Sequence, residues 1–278
     1  MFNALNKSLS LVSLLALAAC GNSSQQEASS LLGQAQGAYD TGNYRQALDL
    51  IDSIKSAYPQ EIEVRRQALH LSRKAIEGLN VKLLAQADSS MVVLQARGDS
   101  LKNLLTWVSN PVEGYYVAKG VNPASATSTT GLQARMSPDG MFYLISCLKG
   151  RSIKSTSVSV ICGDHSVTTP VVAHDGERND RSMGAEVITF IGSECDELGA
   201  FVLDNLGKPM TLAFNGATTY TVPLITKQID EIATVYDCAL TLRRFKVAAI
   251  EKERLSRTVD IARSQAAETF VEEPEKAD

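Results

Sequence analysis

The fold is decided by a long helical run at residues 61–108, EIEVRRQALHLSRKAIEGLNVKLLAQADSSMVVLQARGDSLKNLLTWV. Apolar residues recur there at helical spacing. The first stripe comprises Ile62, Leu69, Ile76, Leu79 and Leu83. The second stripe, offset by one residue as in a stutter, comprises Ala87, Met91, Leu94, Leu101, Leu105 and Val108. Gly78 and Gly98 weaken the run, so we expect a bend or short break within it.

A matching stripe lies near the C-terminus, in residues 224–270. It comprises Ile232, Val235, Ala239, Leu242, Ala249, Leu255, Val259 and Ala262. A helix with one apolar stripe needs a partner that covers it. The simplest partner is the helix at 61–108 of the same chain, and pairing between two molecules is the alternative. The polar, acidic tail at 271–278 is expected to be disordered.

Residues 110–223 read as a β-rich domain inserted between these helices. Asn110 and Pro111 end the first helix, because the residue before a proline disfavours helical geometry. Two turns are marked by their chemistry: Ser137-Pro138-Asp139-Gly140 and the hairpin signal Asn215-Gly216. Residues 194–205 form a short amphipathic helix. We therefore predict an α+β protein: a long helical hairpin or coiled-coil pair with an inserted antiparallel β domain.

Composition narrows the classes of partner. The chain has 278 residues, of which 44% are hydrophobic, so it can bury a sizeable core. A formal net charge of −4 excludes a broad basic field, and nucleic acid is therefore not an expected partner. Aromatic residues make up 6% of the chain, with a single tryptophan, which is sparse for a glycan-binding platform.

The N-terminus resembles the signal of a bacterial lipoprotein. Residues 1–19 contain one lysine and an apolar run that is too short to span a bilayer but fits an export signal. Leu17-Ala18-Ala19-Cys20 resembles a lipobox, which implies cleavage before Cys20 and a covalent lipid on that residue; an ordinary signal peptide with a chance cysteine is the alternative. Residues 20–30 are expected to be a polar tether. No acidic retention or export signal follows Cys20, which favours the outer membrane with the protein facing the periplasm.

The helical segment at 31–109 begins with a unit that resembles a single tetratricopeptide repeat. Ala35, Gly42, Tyr44, Ala47 and Pro59 fall at the spacings of that family within 34 residues. Ala38 departs from the pattern, because an aromatic residue is usual there. The resemblance implies a pair of crossing helices with a role in protein interaction, and a plain helical hairpin packed on the next helix is the alternative.

Four cysteines follow the lipidation site: Cys147, Cys162, Cys195 and Cys238. An oxidising compartment permits disulfides, with three possible pairings, although Cys147 and Cys162 also fit buried free thiols. Cys162 and His165 are the nearest approach to a thiol dyad or a metal pair. The four ligands of a structural zinc site are absent from the sequence around them. We therefore predict no metal and no cofactor beyond the lipid on Cys20.

Possible binding residues come from two places in the β-rich domain. Tyr115 and Tyr116 supply adjacent rings, and the most polar loop, at 174–181, contributes His174, Asp175, Glu177 and Asp180. The spacing of these acids does not match a twelve-residue calcium loop, and Arg178 and Arg181 would oppose a cation. A solvated hairpin loop is the other interpretation.

These features favour a membrane-anchored envelope lipoprotein that acts as a non-enzymatic interaction or scaffold module. Its expected partners are the membrane, through the lipid, and another envelope protein. One alternative is a ligand- or glycan-binding lipoprotein that uses the β domain, which a deep apolar pocket would favour. The other alternative is an envelope thiol or hydrolytic enzyme centred on Cys162 and His165.

Overall fold

The computed structural model describes the backbone of residues 13–268 and the side chains of residues 23–267. Three predictions fall outside this range in whole or in part. The side chain of Cys20, which is predicted to carry the lipid, and the side chains of the predicted signal peptide at 1–19 are not among those described. The tail at 271–278 lies outside the described residues altogether.

The helices and strands follow the order expected of an α+β protein, and the predicted fold class is confirmed. The helices are α1 (Ser13–Asp40), α2 (Tyr44–Ala57), α3 (Ile62–Lys102), α4 (Ser125–Ser128), α5 (Asp196–Asp204) and α6 (Thr226–Glu268). The first strands are β1 (Leu105–Val108), β2 (Tyr115–Ala118), β3 (Gly131–Met136), β4 (Phe142–Lys149) and β5 (Ser157–Cys162). The others are β6 (His165–Thr168), β7 (Asn179–Asp180), β8 (Ala185–Ile191), β9 (Met210–Asn215) and β10 (Thr219–Leu224).

The chain divides into two compact units, which we call the helical unit (residues 1–89 and 249–278) and the α/β unit (residues 90–248). α3 and α6 each contribute residues to both. None of the helices in the described part of the chain is both long and apolar enough to cross a membrane.

In the helical unit, α1, α2 and the first half of α3 share one core. Its buried side chains are Ala28, Ala35, Ile51, Ile54, Val64, Ala68 and Leu71. Ala35 and Ala47 are fully buried, as the small-residue crossing of the repeat-like unit requires. Gly42 takes a φ of 74° in the turn between α1 and α2, a conformation that favours glycine. The predicted tether at 20–30 is instead helical, and its Ala28 is fully buried because that face of α1 packs into this core.

Two residues of the first apolar stripe of α3 do not face the core as predicted. The buried face carries Val64, Ala68, Leu71 and Ala75, whereas Ile62 and Leu69 are 76% and 53% exposed. The small residues Ala68 and Ala75 allow the close approach of α1 and α2, so the contacts with those helices select the face. This choice depends on residues that lie far from α3 in the sequence.

The C-terminal part of α6 pairs with α3 inside the helical unit. Arg263 forms an ion pair with Glu77 at 2.9 Å, and Lys252 pairs with Asp88 at 2.7 Å. Lys252 precedes Arg263 on α6, whereas its partner Asp88 follows Glu77 on α3. The two helices therefore run antiparallel. Leu255, Val259 and Ala262 are buried on α6, as the predicted stripe requires.

The α/β unit contains two antiparallel sheets over one core. The larger sheet has the order β1-β2-β3-β4-β8-β7, and the smaller has the order β10-β9-β5-β6. Their inner faces meet side chains of α5 and α6; the largest fully buried members of this core include Phe142, Phe190, Phe214, Leu144, Leu198 and Ile232. Asn215 and Gly216 begin the connection between β9 and β10, at the predicted hairpin.

The predicted helix at 61–108 ends six residues early. α3 stops at Lys102, and Leu105–Val108 forms β1, which pairs antiparallel with β2. The Leu-Thr-Trp-Val sequence suits a strand as well as a helix, and its backbone groups find partners in the neighbouring chain segment. The predicted β-rich domain therefore begins before residue 110. A helical turn, α4, also occupies part of the Ser/Thr-rich connection before β3.

Gly78 and Gly98 do not break α3, which is continuous over both positions. Gly78 faces a neighbouring side chain at close range, because a Cβ atom there would lie 2.6 Å from Tyr44 Cε1. A Cβ atom on Gly98 would lie 3.9 Å from Thr241 Cγ2, an ordinary van der Waals distance. Close packing thus explains the glycine at position 78, and tertiary contacts offset its low helix propensity.

Candidate functional site

The two predicted tyrosines lie next to each other on β2 and have different surroundings. Tyr116 is half-buried, with its ring centroid 4.9 Å from that of Trp107. Tyr115 lies under the guanidinium of Arg135, which sits 4.1 Å from the ring centroid. Arg135 is itself held by Gln133 and by the carbonyl of Pro123. The structure therefore places Tyr115 in a packed cation–π contact.

The predicted loop at 174–181 is exposed at residues 174–177 and is anchored by one buried side chain, Asn179. The side-chain amide of Asn179 is fully buried and donates to the carbonyl oxygens of Ser155 and Val172. Asp175 Oδ1 accepts three hydrogen bonds, from the amides of Glu177, Arg178 and Asn179. These bonds, that of Asn179 first, lower the pKa of Asp175. Polar composition alone gave no sign of this buried amide.

The other candidate residues of that loop also make local structural contacts. The Nδ1 of His174 lies 2.7 Å from the carbonyl oxygen of Asn179, and Asp180 accepts from the amide of Ser182. Glu177 is exposed. The loop leads into β7, at the edge of the larger sheet away from β2. Four strand spacings separate these two strands, roughly 19 Å. The structure does not bring the loop and the tyrosines together.

Cys162 and His165 are paired across the hairpin of β5 and β6, in different environments. Cys162 is buried in the core of the α/β unit, whereas His165 is exposed. No hydrogen bond joins their side chains in the described structure. Cys147, Cys162, Cys195 and Cys238 are all buried free thiols. Residues 23–267 also contain no group of three or more His, Cys, Asp or Glu side chains arranged to hold a metal.

The α/β unit contains a mostly apolar cavity of about 190 Å³ that the sequence did not reveal. We call it the helix–sheet cavity. α3 and α6 supply two walls, and Tyr116, Met136 and Pro138 supply the third. The side chains that line it are Leu94, Gln95, Gly98, Lys102, Tyr116, Met136, Pro138, Cys238, Thr241, Leu242 and Phe245.

The predicted turn at 137–140 shapes this cavity by docking on α6. A Cβ on Gly140 would lie 3.2 Å from Leu242 Cδ2, and Gly140 has a φ of 90°. Lys246 Nζ donates to the carbonyl oxygen of Asp139 at 2.6 Å. These contacts hold Pro138 against the helix. A turn that the sequence marks for its local chemistry thus becomes a wall of the cavity.

One cation stands at the edge of the helix–sheet cavity. The ammonium of Lys102 lies 5.7 Å from the ring centroid of Tyr116, and within the described part of the chain it has no carboxylate partner. The nearby acid Asp237 is already occupied, because Arg97 donates to both of its carboxylate oxygens at 2.9 and 2.8 Å. The cavity therefore combines an apolar interior with an exposed positive charge.

A buried thiol also lines the cavity. Cys238 is 4% exposed, and burial raises its pKa, with the charge of Asp237 adding to the effect. At neutral pH it is a protonated, apolar group and a poor nucleophile. We therefore assign it to the lining of the site.

Comparisons of this chain with protein-family models, curated proteins and solved structures give no match. Its function must therefore follow from the geometry of its own residues.

The helical unit has a wider and more open groove between α2 and α3, which we call the α2–α3 groove. Its volume is about 560 Å³. Tyr44, Leu79 and Leu83 provide the apolar floor. The polar lining consists of Asn43, Arg45, Gln46, Asp49, Lys82 and Gln86. Both edges thus carry hydrogen-bonding groups above an apolar floor.

The sequence identifies parts of both sites without bringing them together. Leu79 and Leu83 belong to the stripe predicted to pack on α6, and they line the α2–α3 groove. The sequence predicts Tyr116 as a binding residue but carries no signal for Lys102 or Phe245. A tyrosine near the start of a strand and a lysine at the end of a helix carry no shared local signal, since only the fold makes them neighbours.

Proposed function

We propose that this protein is a lipid-anchored lipoprotein of the bacterial outer membrane, facing the periplasm, and that it acts by binding another envelope protein rather than by catalysis. The α2–α3 groove is the observation that carries the proposal. An apolar floor between two polar edges suits an extended peptide segment, whose side chains enter the groove while its backbone bonds to the edges.

The character of the groove favours a peptide over a compact small molecule. Its floor is half-buried at Tyr44, Leu79 and Leu83, so apolar side chains of a partner gain contact area there. Its edges present both signs of charge, at Arg45, Lys82 and Asp49, which suits a polar backbone with mixed side chains.

Site-specific photo-crosslinking tests the groove in intact cells. A photo-reactive amino acid at Leu83 is expected to give a discrete crosslinked protein. The matched control is Val81, which lies on the same helix, is 40% exposed and does not line the groove. Equal products from both positions, or none from Leu83, would overturn the assignment of the groove.

The membrane anchor has its own test. Cys20→Ala removes the only side chain that the lipobox resemblance marks for acylation. We expect this variant to lose incorporation of labelled palmitate and to leave the membrane fraction, whereas Cys147→Ala should retain both. Retention of palmitate by Cys20→Ala would contradict the lipoprotein assignment.

The helix–sheet cavity favours a second candidate function, a ligand-binding lipoprotein. A partly enclosed, mostly apolar space with a few polar groups is the usual form of a small-molecule site. The two candidates use different units, so a variant that fills one site leaves the other intact.

A further inference from the structure

The helix–sheet cavity is the right size for a single small apolar group. An apolar cavity of about 150 Å³ engineered into another protein binds benzene. The present cavity, at about 190 Å³, is slightly larger, so it can accept one aromatic ring with a short substituent. Leu94, Leu242 and Phe245 supply apolar contact from the two helices, and Tyr116 supplies an aromatic wall.

The edge of the cavity carries a positive charge, which favours an anionic ligand. Lys102 is exposed, lies over the Tyr116 ring and has no carboxylate partner among the described residues. A lysine ammonium is a compact point charge that pairs with carboxylate or phosphate groups. The neighbouring Arg97 does not compete for an anion, because Asp237 occupies its guanidinium.

We propose that the helix–sheet cavity binds a small organic anion whose apolar group enters between α3, α6 and Tyr116 while its anionic head pairs with Lys102. The inference depends on the second candidate function, binding of a ligand by the α/β unit. To that candidate function, the inference adds the charge and the size of the ligand. Carboxylate and phosphate heads share this chemistry.

The chain carries its own reporter for this binding. Trp107 is the only tryptophan in the sequence, and its ring is 4.9 Å, centroid to centroid, from Tyr116 in the cavity wall. A ligand that contacts Tyr116 is therefore expected to change the fluorescence of Trp107. Isothermal titration calorimetry with the same probes measures binding independently of the fluorescence of Trp107.

The test compares three probes that share a phenyl ring and differ in charge: phenylacetate, 2-phenylethanol and phenethylamine. They are titrated into the full chain. We expect phenylacetate to bind about three- to fivefold more tightly than the neutral alcohol, as an exposed ion pair allows, and the amine to bind most weakly. Phenyl phosphate in a fourth titration distinguishes the two kinds of anionic head.

Two variants separate charge from shape. Lys102→Met should abolish the preference for phenylacetate over 2-phenylethanol and leave binding of the alcohol unchanged. Lys119→Met removes an exposed lysine of the same unit that does not line the cavity, and it should behave like the wild type. Leu94→Phe fills the cavity, so binding of all probes should be lost while the circular dichroism spectrum and the unfolding midpoint show a folded chain.

Each result has a distinct meaning. Equal affinity of wild type for phenylacetate and 2-phenylethanol would refute the anionic preference and leave ligand binding intact. No change in Trp107 fluorescence and no heat of binding in calorimetry with any probe would overturn both the inference and the second candidate function. Unchanged binding by Leu94→Phe would place the ligand elsewhere and overturn the inference.

Discussion

The ring of Tyr44 lies directly against the backbone of Gly78. A Cβ atom at position 78 would be 2.6 Å from both Cε1 and Cζ of that ring, closer than non-bonded carbon atoms can approach. Tyr44 begins α2 and Gly78 lies in the middle of α3, so the contact joins the two helices that form the α2–α3 groove. Replacing either residue changes the floor of that groove.

Gly78→Ala is therefore expected to have opposite effects in two backgrounds. In the wild type, overpacking against Tyr44 costs about 1–3 kcal/mol, which exceeds the gain of about 1 kcal/mol in helix propensity. In a Tyr44→Ala background the clash is gone and the same substitution should be stabilising. Urea unfolding of the four proteins in this double-mutant cycle measures the coupling. Equal effects of Gly78→Ala in both backgrounds would mean that the two residues are independent.

Gly199→Ala should destabilise the α/β unit more reliably, because its neighbour cannot move away. The new Cβ would lie 2.4 Å from Cδ2 of Tyr236, which is 6% exposed and packs edge-on to Phe142 with centroids 5.2 Å apart. We expect a loss of about 1–3 kcal/mol in thermal or urea unfolding. Gly33→Ala is the matched control, since a Cβ there meets nothing within 4 Å; it should be neutral or stabilising. A stabilised Gly199→Ala would contradict this packing.

Glu186 anchors the loop before β5 and should make stability depend on pH. The side chain is 2% exposed and accepts hydrogen bonds from the Ser152 hydroxyl and from the amides of Lys154 and Ser155. Burial by itself would raise the pKa of Glu186, but the bonds from Ser155 and Lys154 outweigh it and the pKa is lowered. The folded state therefore favours the charged form. Its stabilising contribution is present above the ordinary pKa of 4.5 and is lost as the pH falls through the lower folded value.

Glu186→Gln tests this assignment. The amide nitrogen of glutamine cannot accept a hydrogen bond, so at least one buried donor is left without its partner. We expect a loss of about 1–3 kcal/mol at pH 7 and a smaller difference from wild type as the pH falls below 4.5. Glu177→Gln, which changes an exposed carboxylate, should unfold like the wild type at both pH values. A constant difference for Glu186→Gln across this range would show that its charge is not involved.

Cys195 should be inert towards alkylating reagents in the folded protein. Burial raises its pKa to about 12, with Asp196 adding to the effect, and its thiol donates to carbonyl oxygens such as that of Gly192. The thiolate fraction at pH 8 is about one in ten thousand. We expect no labelling of Cys195 by iodoacetamide at pH 8 until denaturant is added. Rapid labelling of the native chain at this position would require a different environment for the thiol.

The local features of the chain could be read from neighbouring residues. The hairpin signal Asn215-Gly216 and the turn at 137–140 depend on turn chemistry within a few positions, and they appear where expected. The polarity of the loop at 174–181 was equally visible and agrees with the exposure of residues 174–177, but it gave no sign that Asn179 is buried. A buried asparagine amide with two distant carbonyl partners has the same sequence signature as an exposed one.

The sequence by itself determined that this is an α+β protein with N-terminal helices, antiparallel sheets and a long C-terminal helix. Only the tertiary structure decided which face of α3 is buried, that Leu105–Val108 leaves the helix for the sheet, and that Lys102 stands beside Tyr116. Periodicity and turn chemistry act over a few residues, so they can be read along the chain. Burial and site geometry depend on contacts between residues far apart in sequence, and those positions are fixed only when the whole core packs.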